Sequence, residues 1–385
     1  AVARAVVQEV HQCLSNKPDL NNAPVSGLYF GGGTANLTPP TPFRLLAQTL
    51  AEAYDLTTAE VSLEGVPSNF LRGQSLLIDV MQEELRARHF RISMGIQTFS
   101  ETRLEQMGRL AFGRPAVFES VVKAAHQRGM TASGDLLFNL PGQQLAEMRD
   151  DVQQAVNIGL DQICLYHLVM FRGLGTAWSR DEAVLSSLPS NEEAADNWLI
   201  LREFLLDNGY RQTSLTNFER QELADDPRRY RYEPISYESI HCQVLGFGPA
   251  GISYSSAPDS QYALKTMNPE SSAEYLQSIQ SQGPTWNRYF QYHQRDLELL
   301  HFTRRLAALR VDKTSFSESF GASAWTHHLD QFAVFVEAGL MNEGQHAYSL
   351  TPRGMFFSDS IAALLAEGHR QYRNGRLLSV HNDNS

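Results

Sequence analysis

The stretch that decides the fold of this chain is Gly27-Leu28-Tyr29-Phe30-Gly31-Gly32-Gly33-Thr34. Four residues typical of strands run directly into three glycines and a threonine, and this pattern predicts a buried strand that ends in an abrupt turn. Glycines leave backbone N–H and C=O groups uncovered, so a polar ligand can approach the main chain closely. Taken alone, most glycine-rich turns are only turns, and the polar residues at the ends of the later strands change this balance.

Strand and helix patterns alternate five times along the first part of the chain, which places it in the α/β class. The strands are predicted over 27–30, 60–65, 90–97, 131–140 and 162–170. Such alternation predicts parallel strands joined by right-handed crossovers. Polar side chains at the C-terminal ends of successive strands favour an incomplete (β/α) barrel, with an open doubly wound sheet as the alternative.

Three of these strand ends carry Glu64, Gln97 and Asp135, and Arg109 follows a short helix. Each residue alone has a structural explanation, such as a helix cap, a loop hydrogen bond or a buried acceptor. Together they would surround one mouth of the barrel with two carboxylates, an amide and a guanidinium. That mixture suits a zwitterionic ligand with hydroxyl groups, because carboxylates accept from ammonium or hydroxyl groups and arginine pairs with a carboxylate.

The composition is that of an ordinary folded globular protein, with 385 residues, 42% of them hydrophobic and 19% charged. The net charge of −11 argues against a surface that coats nucleic acid. No apolar run approaches the roughly 18 residues that a membrane helix needs, and no secretory signal is evident. We therefore expect a cytoplasmic protein that acts on a small molecule, without nucleic acid or membrane as a partner.

Cysteine usage excludes a disulfide framework and a short-spaced metal site within this sequence. The three cysteines, Cys13, Cys164 and Cys242, are scattered and odd in number. For Cys13, in a helical pattern, and Cys164, in an apolar strand, the role of a small buried hydrophobic residue is favoured. No metal ligands are assigned in this chain.

The alternation stops near Tyr210, and the sequence predicts a first domain over 1–255 and a smaller, mostly helical accessory domain over 256–385. Helices are predicted over 296–308 and 322–338, a hairpin over 339–350, and a last helix to residue 367. This order suggests a winged-helix-like domain. DNA binding is the minor interpretation, because the chain is acidic.

Five motifs in this order resemble those of one group of radical S-adenosylmethionine proteins. They are Tyr29–Thr34, Leu63-Glu64-Gly65, Ser93–Phe99, Gly108-Arg109 and Asp135–Gln143. The group contains oxygen-independent coproporphyrinogen III oxidase, haem-chaperone relatives, and related methylases and cyclopropanases. The resemblance covers the chain from Ala1 to about Tyr254 and is loose beyond it. It implies an incomplete barrel of the radical S-adenosylmethionine type.

The resemblance also implies roles in cofactor binding. The backbone after the first strand would meet the amino-acid end of S-adenosylmethionine, and the polar strand-end groups would hold its other polar atoms, with Asp135 at the ribose. A second S-adenosylmethionine molecule can sit beside the first in this group. The residues implied are Gly31, Gly32, Gly33, Thr34, Glu64, Gln97, Arg109 and Asp135 for the first molecule, and Val169 and Met170 for the second.

The group's Cys-x3-Cys-x2-Cys motif, which holds a [4Fe–4S] cluster, is missing from this sequence. In the group it lies one strand upstream of the helix that begins here at Ala1. We expect the cluster on cysteines upstream of this chain, and a relative without a cluster is the alternative. The resemblance further implies an external electron donor such as flavodoxin or ferredoxin.

Three functions are open. Radical methyl or methylene transfer to a small unsaturated or aromatic substrate is favoured. Oxidation of the coproporphyrinogen type, or another haem-related modification, is the second. Haem delivery without catalysis is the third. The haem-carrying relatives in the group show a His-Asn-x-x-x-Trp motif, and its absence from the corresponding residues 231–237 counts against this function. Glu219, Glu233 and Tyr237 are candidate catalytic residues, as proton acceptors beside a reaction intermediate, with a solvated charged loop as the alternative.

Overall fold

A computed structural model describes residues 1–170, 174–175, 178–238, 240, 242–256, 262–281 and 283–382, with side chains up to residue 370. The chain divides into two compact units, Ala1–Tyr232 and Glu233–Ser385. The domain assignment made from the sequence, with its boundary at residue 255, stays a prediction.

The strands and helices of the first unit alternate over most of its length. The strands are β1 (Ala23–Pro24), β2 (Gly27–Phe30), β3 (Tyr54–Asp55), β4 (Glu60–Gly65), β5 (His89–Gln97), β6 (Thr131–Phe138), β7 (Gln162–His167), β8 (Tyr210–Gln212) and β9 (Asn217–Arg220). The helices are α1 (Val2–Asn16), α2 (Pro40–Ala53), α3 (Leu77–Glu84), α4 (Glu101–Gln106), α5 (Pro115–His126), α6 (Leu145–Asn157), α7 (Glu182–Ser186) and α8 (Asn191–Asp207). A short helix, α9 (Tyr232–Ser236), begins at the last residue of this unit.

A seven-stranded sheet with the order β2-β4-β5-β6-β7-β9-β8 forms the centre of the first unit. The five strands from β2 to β7 in this order are parallel, as the alternating pattern predicted. The last two, β9 and β8, are antiparallel and extend the sheet as a hairpin. The sheet of the described residues is therefore mixed and open, and no closed barrel forms.

The two faces of this sheet differ sharply in polarity, because side chains alternate along a strand. One face is apolar and buried, with residues such as Leu63, Ile92 and Leu136, and helices α5 and α6 pack on this side. The other face carries polar groups at every second position. On the three central strands these are Glu60, Ser62, Glu64, His89, Arg91, Ser93, Gln97, Thr131, Ser133 and Asp135.

The second unit contains two small antiparallel sheets, β10-β11-β12 and β13-β15-β14. The strands are β10 (Ile252–Ser256), β11 (Tyr262–Met267), β12 (Arg288–His293), β13 (Arg310–Asp312), β14 (Met341–Glu343) and β15 (Ala347–Leu350). The helices are α10 (Ser272–Gln280), α11 (Gln294–Ala307), α12 (Lys313–Phe320), α13 (Leu329–Glu337), α14 (Pro352–Phe356) and α15 (Ser358–Asn382).

The hairpin predicted over 339–350 is confirmed as β14 and β15. The single helix predicted over 322–338 is wrong. The chain forms a 3₁₀ helix over Ala322–His327 and then α13, with a break at His328, whose φ of −130° is not helical. The winged-helix-like arrangement of this unit stays a prediction.

Within the part of the chain that the structure describes, no helix combines the length and apolar character required to cross a membrane.

Candidate cofactor site

The glycine run directly after β2 forms one wall of the candidate site. A Cβ atom at Gly31 would lie 2.4 Å from Cε1 of Tyr29 and 2.9 Å from Oε2 of Glu64, so only glycine fits there without displacing a neighbour. Gly32 and Gly33 have φ angles of +80° and +76°, which L side chains rarely adopt. No atom lies within 4 Å of a Cβ built on either residue, so this backbone borders open space.

Asn36 fixes this loop to the end of β4. Its side-chain amide donates to the carbonyl of Val66 at 2.9 Å, and its Oδ1 accepts from the N–H of Val66 at 3.1 Å. The amide packs against Gly65, where a Cβ atom would lie 1.9 Å from Cγ of Asn36. The loop after β2 is thus held in register with the strand that carries Glu64.

The polar strand-end groups lie on the polar face of the sheet. Glu64 is the penultimate residue of β4, Gln97 is the last residue of β5, and Asp135 pairs with Gly95 across β5 and β6. Arg109 reaches the same place, because its Nη2 donates to the carbonyl of Gly95 at 3.3 Å. A Cβ atom at Gly95 would lie 2.8 Å from Nε2 of Gln97 and 3.2 Å from Nη2 of Arg109. The structure therefore brings amide, guanidinium and carboxylate groups together around Gly95.

A bulge at the end of β5 directs the side chain of Gln97. The pairing with β6 shifts between Gly95 and Gln97, and Gln97 has a φ of +71°. A non-glycine residue in this conformation is uncommon and costs free energy, and bulges of this kind are frequent next to active sites. The strain at Gln97 is evidence that this part of the strand is shaped for a ligand.

The electrostatics of the site centre on Asp135. Burial raises the pKa of Asp135 to about 6, although Arg91, a hydrogen bond with Cys164 and Arg109 all lower it. Burial also lowers the pKa of Arg109, an effect that Asp135 partly offsets. Nε of Arg109 is buried and has no hydrogen-bond partner among the described residues. Such unsatisfied groups are rare in folded proteins and fit a polar ligand at this position.

Two further residues of the site were missed from the sequence. The hydroxyl of Tyr29 donates to Oε2 of Glu64 at 3.2 Å, and burial raises the pKa of Tyr29. Arg91 lies one layer deeper, where its Nη2 and Nε donate to Oε1 of Gln162 at 2.6 and 3.0 Å. Its guanidinium also stacks 4.2 Å from the ring centroid of Tyr230. The alternation of polar residues along β4, β5 and β6 was the signal that could have revealed Arg91.

The loops that follow β5 and β6 are tied together by a single buried carboxylate, that of Asp151 on α6. It accepts from the hydroxyl of Thr98 at 2.8 Å, the N–H of Phe99 at 2.6 Å and the amide of Gln143 at 3.2 Å. Burial raises the pKa of Asp151 to about 6. Because Thr98 directly follows Gln97, this network supports the strand end that carries the amide.

The candidate catalytic residues do not all lie in this unit. Glu219 is buried on β9, opposite Gln162 at the N-terminal end of β7. It accepts from Nη2 of Arg211 at 2.5 Å and from the N–H of Tyr230 at 2.6 Å. Glu233 and Tyr237 belong to the second unit, where the Tyr237 hydroxyl donates to Oε1 of Glu233 at 2.5 Å. Their roles as proton acceptors stay predictions.

The residues assigned to a second cofactor molecule, Val169 and Met170, lie just after β7, separated from it by Leu168. Val169 is exposed and Met170 is half-buried. A separate cavity of about 430 Å³ lies beside the loop after β6, lined by residues such as Arg103, Pro141 and Trp178, and does not include the strand-end groups.

Comparisons with known proteins identify relatives of the chain. No protein-family model matches it. The chain is 26% identical over 239 residues to the haem chaperone HemW of Lactococcus lactis, which covers 62% of this chain and 61% of HemW. It is 31% identical over 235 residues to the anaerobilin synthase of Escherichia coli O157:H7, which covers 60% of this chain and 49% of the synthase.

The solved structure of coproporphyrinogen III oxidase (HemN) from Escherichia coli, a radical S-adenosylmethionine enzyme, matches with a TM-score of 0.75 at 20% identity. The match covers 94% of this chain and 82% of HemN. The chain is thus similar in sequence to HemW and to anaerobilin synthase, and it shares the fold of HemN. Its matches to HemW of Lactococcus lactis and anaerobilin synthase span only about half to three fifths of those proteins.

HemN is a radical S-adenosylmethionine enzyme, and that family implies S-adenosylmethionine and a [4Fe–4S] cluster in such relatives. The polar strand-end residues of this chain fit S-adenosylmethionine, which is a zwitterion with hydroxyl groups. The open glycine backbone, the unsatisfied Nε of Arg109 and the two carboxylates match such a ligand. The residues that would hold it are those assigned from the sequence, and their role stays a prediction.

The cysteines of this chain do not fit a [4Fe–4S] cluster. Among the described residues, the one set of three or more His, Cys, Asp or Glu side chains close enough to share an ion contains no cysteine. Cys164 lies in the sheet with its Sγ 2.7 Å from Oδ1 of Asn217.

A methyl group at Gly31 is expected to weaken S-adenosylmethionine binding roughly 5- to 150-fold, the equivalent of an overpacking cost of about 1–3 kcal/mol. The φ of Gly31 is not in the left-handed region, so Gly31→Ala should fold and displace only Tyr29 or Glu64. Cofactor affinity can be measured by calorimetry. Gly283→Ala is the control, since its methyl would meet only Oγ of Ser281 at 3.7 Å. Unchanged affinity of Gly31→Ala would remove the glycine loop from the site.

Proposed function

We propose that this chain binds S-adenosylmethionine at the strand ends and acts on a tetrapyrrole, such as a haem or a coproporphyrinogen. The observation that carries the proposal is the grouping of Gln97, Arg109 and Asp135 around Gly95, beside a carboxylate and an open glycine backbone. A polar set of this kind at the carboxyl ends of parallel strands is where ligands bind in α/β proteins.

Each group of the set has a chemical task in this proposal. Glu64 accepts from the ammonium group, with its carboxylate oriented by the Tyr29 hydroxyl. Arg109 pairs with the carboxylate of the cofactor, which would satisfy its unpartnered Nε. Asp135 accepts from the ribose hydroxyls, and Gln97 serves either as a donor or as an acceptor.

When it is bound and reductively cleaved, S-adenosylmethionine supplies the carbon-centred radical that removes a hydrogen atom from the substrate. The chain's own contribution is to orient the cofactor and to keep water from it. The bulge at Gln97, the Asn36 anchor and the Asp151 network fix three edges of the site before any ligand arrives. An external electron donor such as flavodoxin or ferredoxin belongs to this proposal.

The substrate class is suggested by what the relatives are. HemW is a haem chaperone and anaerobilin synthase is named for its tetrapyrrole product, so two relatives of different activity share that chemistry. Methyl or methylene transfer, the first choice from the sequence, has no support among these relatives. The second candidate is haem delivery without catalysis, which the similarity to HemW favours.

The test uses the full-length protein, reconstituted anaerobically with iron and sulfide and supplied with reduced flavodoxin. It is incubated with S-adenosylmethionine and either haem or coproporphyrinogen III, and the products are identified by mass spectrometry. We expect 5′-deoxyadenosine together with an altered tetrapyrrole. Tight haem binding without 5′-deoxyadenosine would replace the proposal with haem delivery. S-adenosylhomocysteine with a methylated product would replace it with methyl transfer.

A further inference from the structure

A buried carboxylate and two adjacent histidines meet in the second unit, outside the site described above. Glu298 lies on α11, His327 ends the 3₁₀ helix, and His328 precedes α13. Oε2 of Glu298 is 2.9 Å from Nε2 of His328 and 3.3 Å from Nδ1 of His327. One ligand atom from each of the three residues lies within 4.8 Å of the other two.

The imidazole rings of His327 and His328 can each direct a nitrogen toward Glu298 because their planes are steeply inclined to each other. The ring centroids are 6.1 Å apart and the ring planes differ by 78°. In a tetrahedral zinc site with bonds of about 2.0–2.1 Å, neighbouring ligand atoms lie roughly 3.3 Å apart. The two separations from Oε2 are close to that value, and one ligand atom of each residue lies within 4.8 Å of the other two.

The carboxylate is unusual in its surroundings. Glu298 is 0% exposed, and its Oε1 is buried without a hydrogen-bond partner among the described residues. A buried carboxylate with one oxygen that lacks a hydrogen-bond partner favours a further cationic partner. Arg295 is only a partial cationic partner of Glu298, because its Nε lies 3.5 Å from Oε2.

The side chain of His328 is buried and closely packed, whereas that of His327 is partly exposed to solvent. The ring of His328 packs edge-on against Phe302 at 4.7 Å, within the aromatic core of this unit. The side chain of His327 is 40% exposed, which gives an ion a path from solvent. Two fixed ligands and one accessible ligand are a suitable arrangement for capture of an ion from solution.

We propose that Glu298, His327 and His328 form a zinc site, with water as the fourth ligand. Two imidazole nitrogens and one carboxylate oxygen are a ligand set that zinc uses in proteins. The bound ion joins α11 to the start of α13 and so stabilises the fold of the second unit.

The test is a Zn²⁺ titration of the full chain in competition with a chromophoric chelator, carried out on the wild type and on His327→Gln. Because the side chain of His327 is 40% exposed and lies outside the aromatic core, this variant should fold normally. We expect the affinity of one Zn²⁺ to fall at least 10- to 100-fold, about the loss seen when even outer-shell partners of a metal are removed. His346→Gln, an exposed histidine of the same unit, is the control and should bind as the wild type does.

Co²⁺ provides a second readout, because cysteine thiolates elsewhere can also bind metals. The wild type minus His327→Gln difference spectrum should show the visible bands of tetrahedral Co²⁺ without thiolate charge transfer. Saturating Zn²⁺ should raise the midpoint of thermal unfolding of the wild type, and not that of His327→Gln. Equal Zn²⁺ affinity in the wild type and His327→Gln would show that the three residues are a hydrogen-bonded cluster only.

Discussion

Replacement of Asp135 by asparagine is expected to weaken S-adenosylmethionine binding by roughly 10- to 150-fold. Asp135 is placed to accept hydrogen bonds from ribose hydroxyls, and an ionised acceptor contributes about 1.5–3 kcal/mol to such a contact. Asparagine retains one acceptor oxygen and presents a donor where the second oxygen was, so it reproduces only half of the contact. Equilibrium titration of the cluster-loaded full-length protein measures the change.

The pH dependence gives this prediction an internal check. The pKa of Asp135 is raised to about 6, mainly by burial. Because the cofactor binds the ionised form, the affinity of the wild type should fall as the pH is lowered through about 6. Asp135→Asn should lose this dependence, and Asp150→Asn, an exposed carboxylate on α6, should retain it. Full affinity in Asp135→Asn would refute the assigned role.

Replacement of Asp151 by alanine is expected to lower the free energy of unfolding of the first unit by about 3–5 kcal/mol. The change removes the acceptor of three buried donors, and each buried donor left unsatisfied costs about 1–3 kcal/mol. Denaturant titration followed by far-UV circular dichroism measures the loss. S-adenosylmethionine affinity should fall too, because Thr98 and Phe99 follow the bulged strand end directly.

Asp150→Ala is the matched control for this variant, since Asp150 is the exposed neighbour on the same helix, and its effect should stay within about 0.5 kcal/mol. The raised pKa of Asp151 adds a pH signature. Its folded form holds a proton more tightly than the unfolded chain does, so its contribution lowers stability as the pH rises from about 4 to about 6. Asp151→Ala should flatten that part of the profile. A loss equal to that of Asp150→Ala would contradict the network.

The sequence was sufficient for the parts of the fold that depend on local pattern. The five parallel strands follow from alternation of strand and helix signals, and the strand-end positions of Glu64 and Gln97 follow from where those signals stop. The bulge at Gln97 did not follow, because it depends on pairing with β6 and not on residue type. The partners of Arg91 could not be predicted either, because Gln162 and Tyr230 lie on other elements, far from Arg91 in sequence.

The second unit shows the limit of periodicity more plainly. Residues 322–338 have the spacing of one helix, yet the chain breaks at His328. The side chain of His328 hydrogen-bonds to Glu298, about 30 residues earlier, and packs against Phe302. These tertiary contacts outweigh the local preference for a continuous helix, which is weak for a single turn.

The polar residues near the N-terminal ends of the parallel strands determine how a ligand can leave the polar face of the sheet. The chain after β9 crosses this end of the sheet, where the N–H groups of Tyr230 and Arg231 donate to the carboxylates of Glu219 and Glu60, both buried. Passage through this end would break two charge-assisted hydrogen bonds and expose the guanidinium of Arg91. Within the described part of the first unit, the N-terminal end of the parallel strands is therefore closed. A ligand held at the strand ends would therefore exchange through the mouth that Gly31 and Gln97 border.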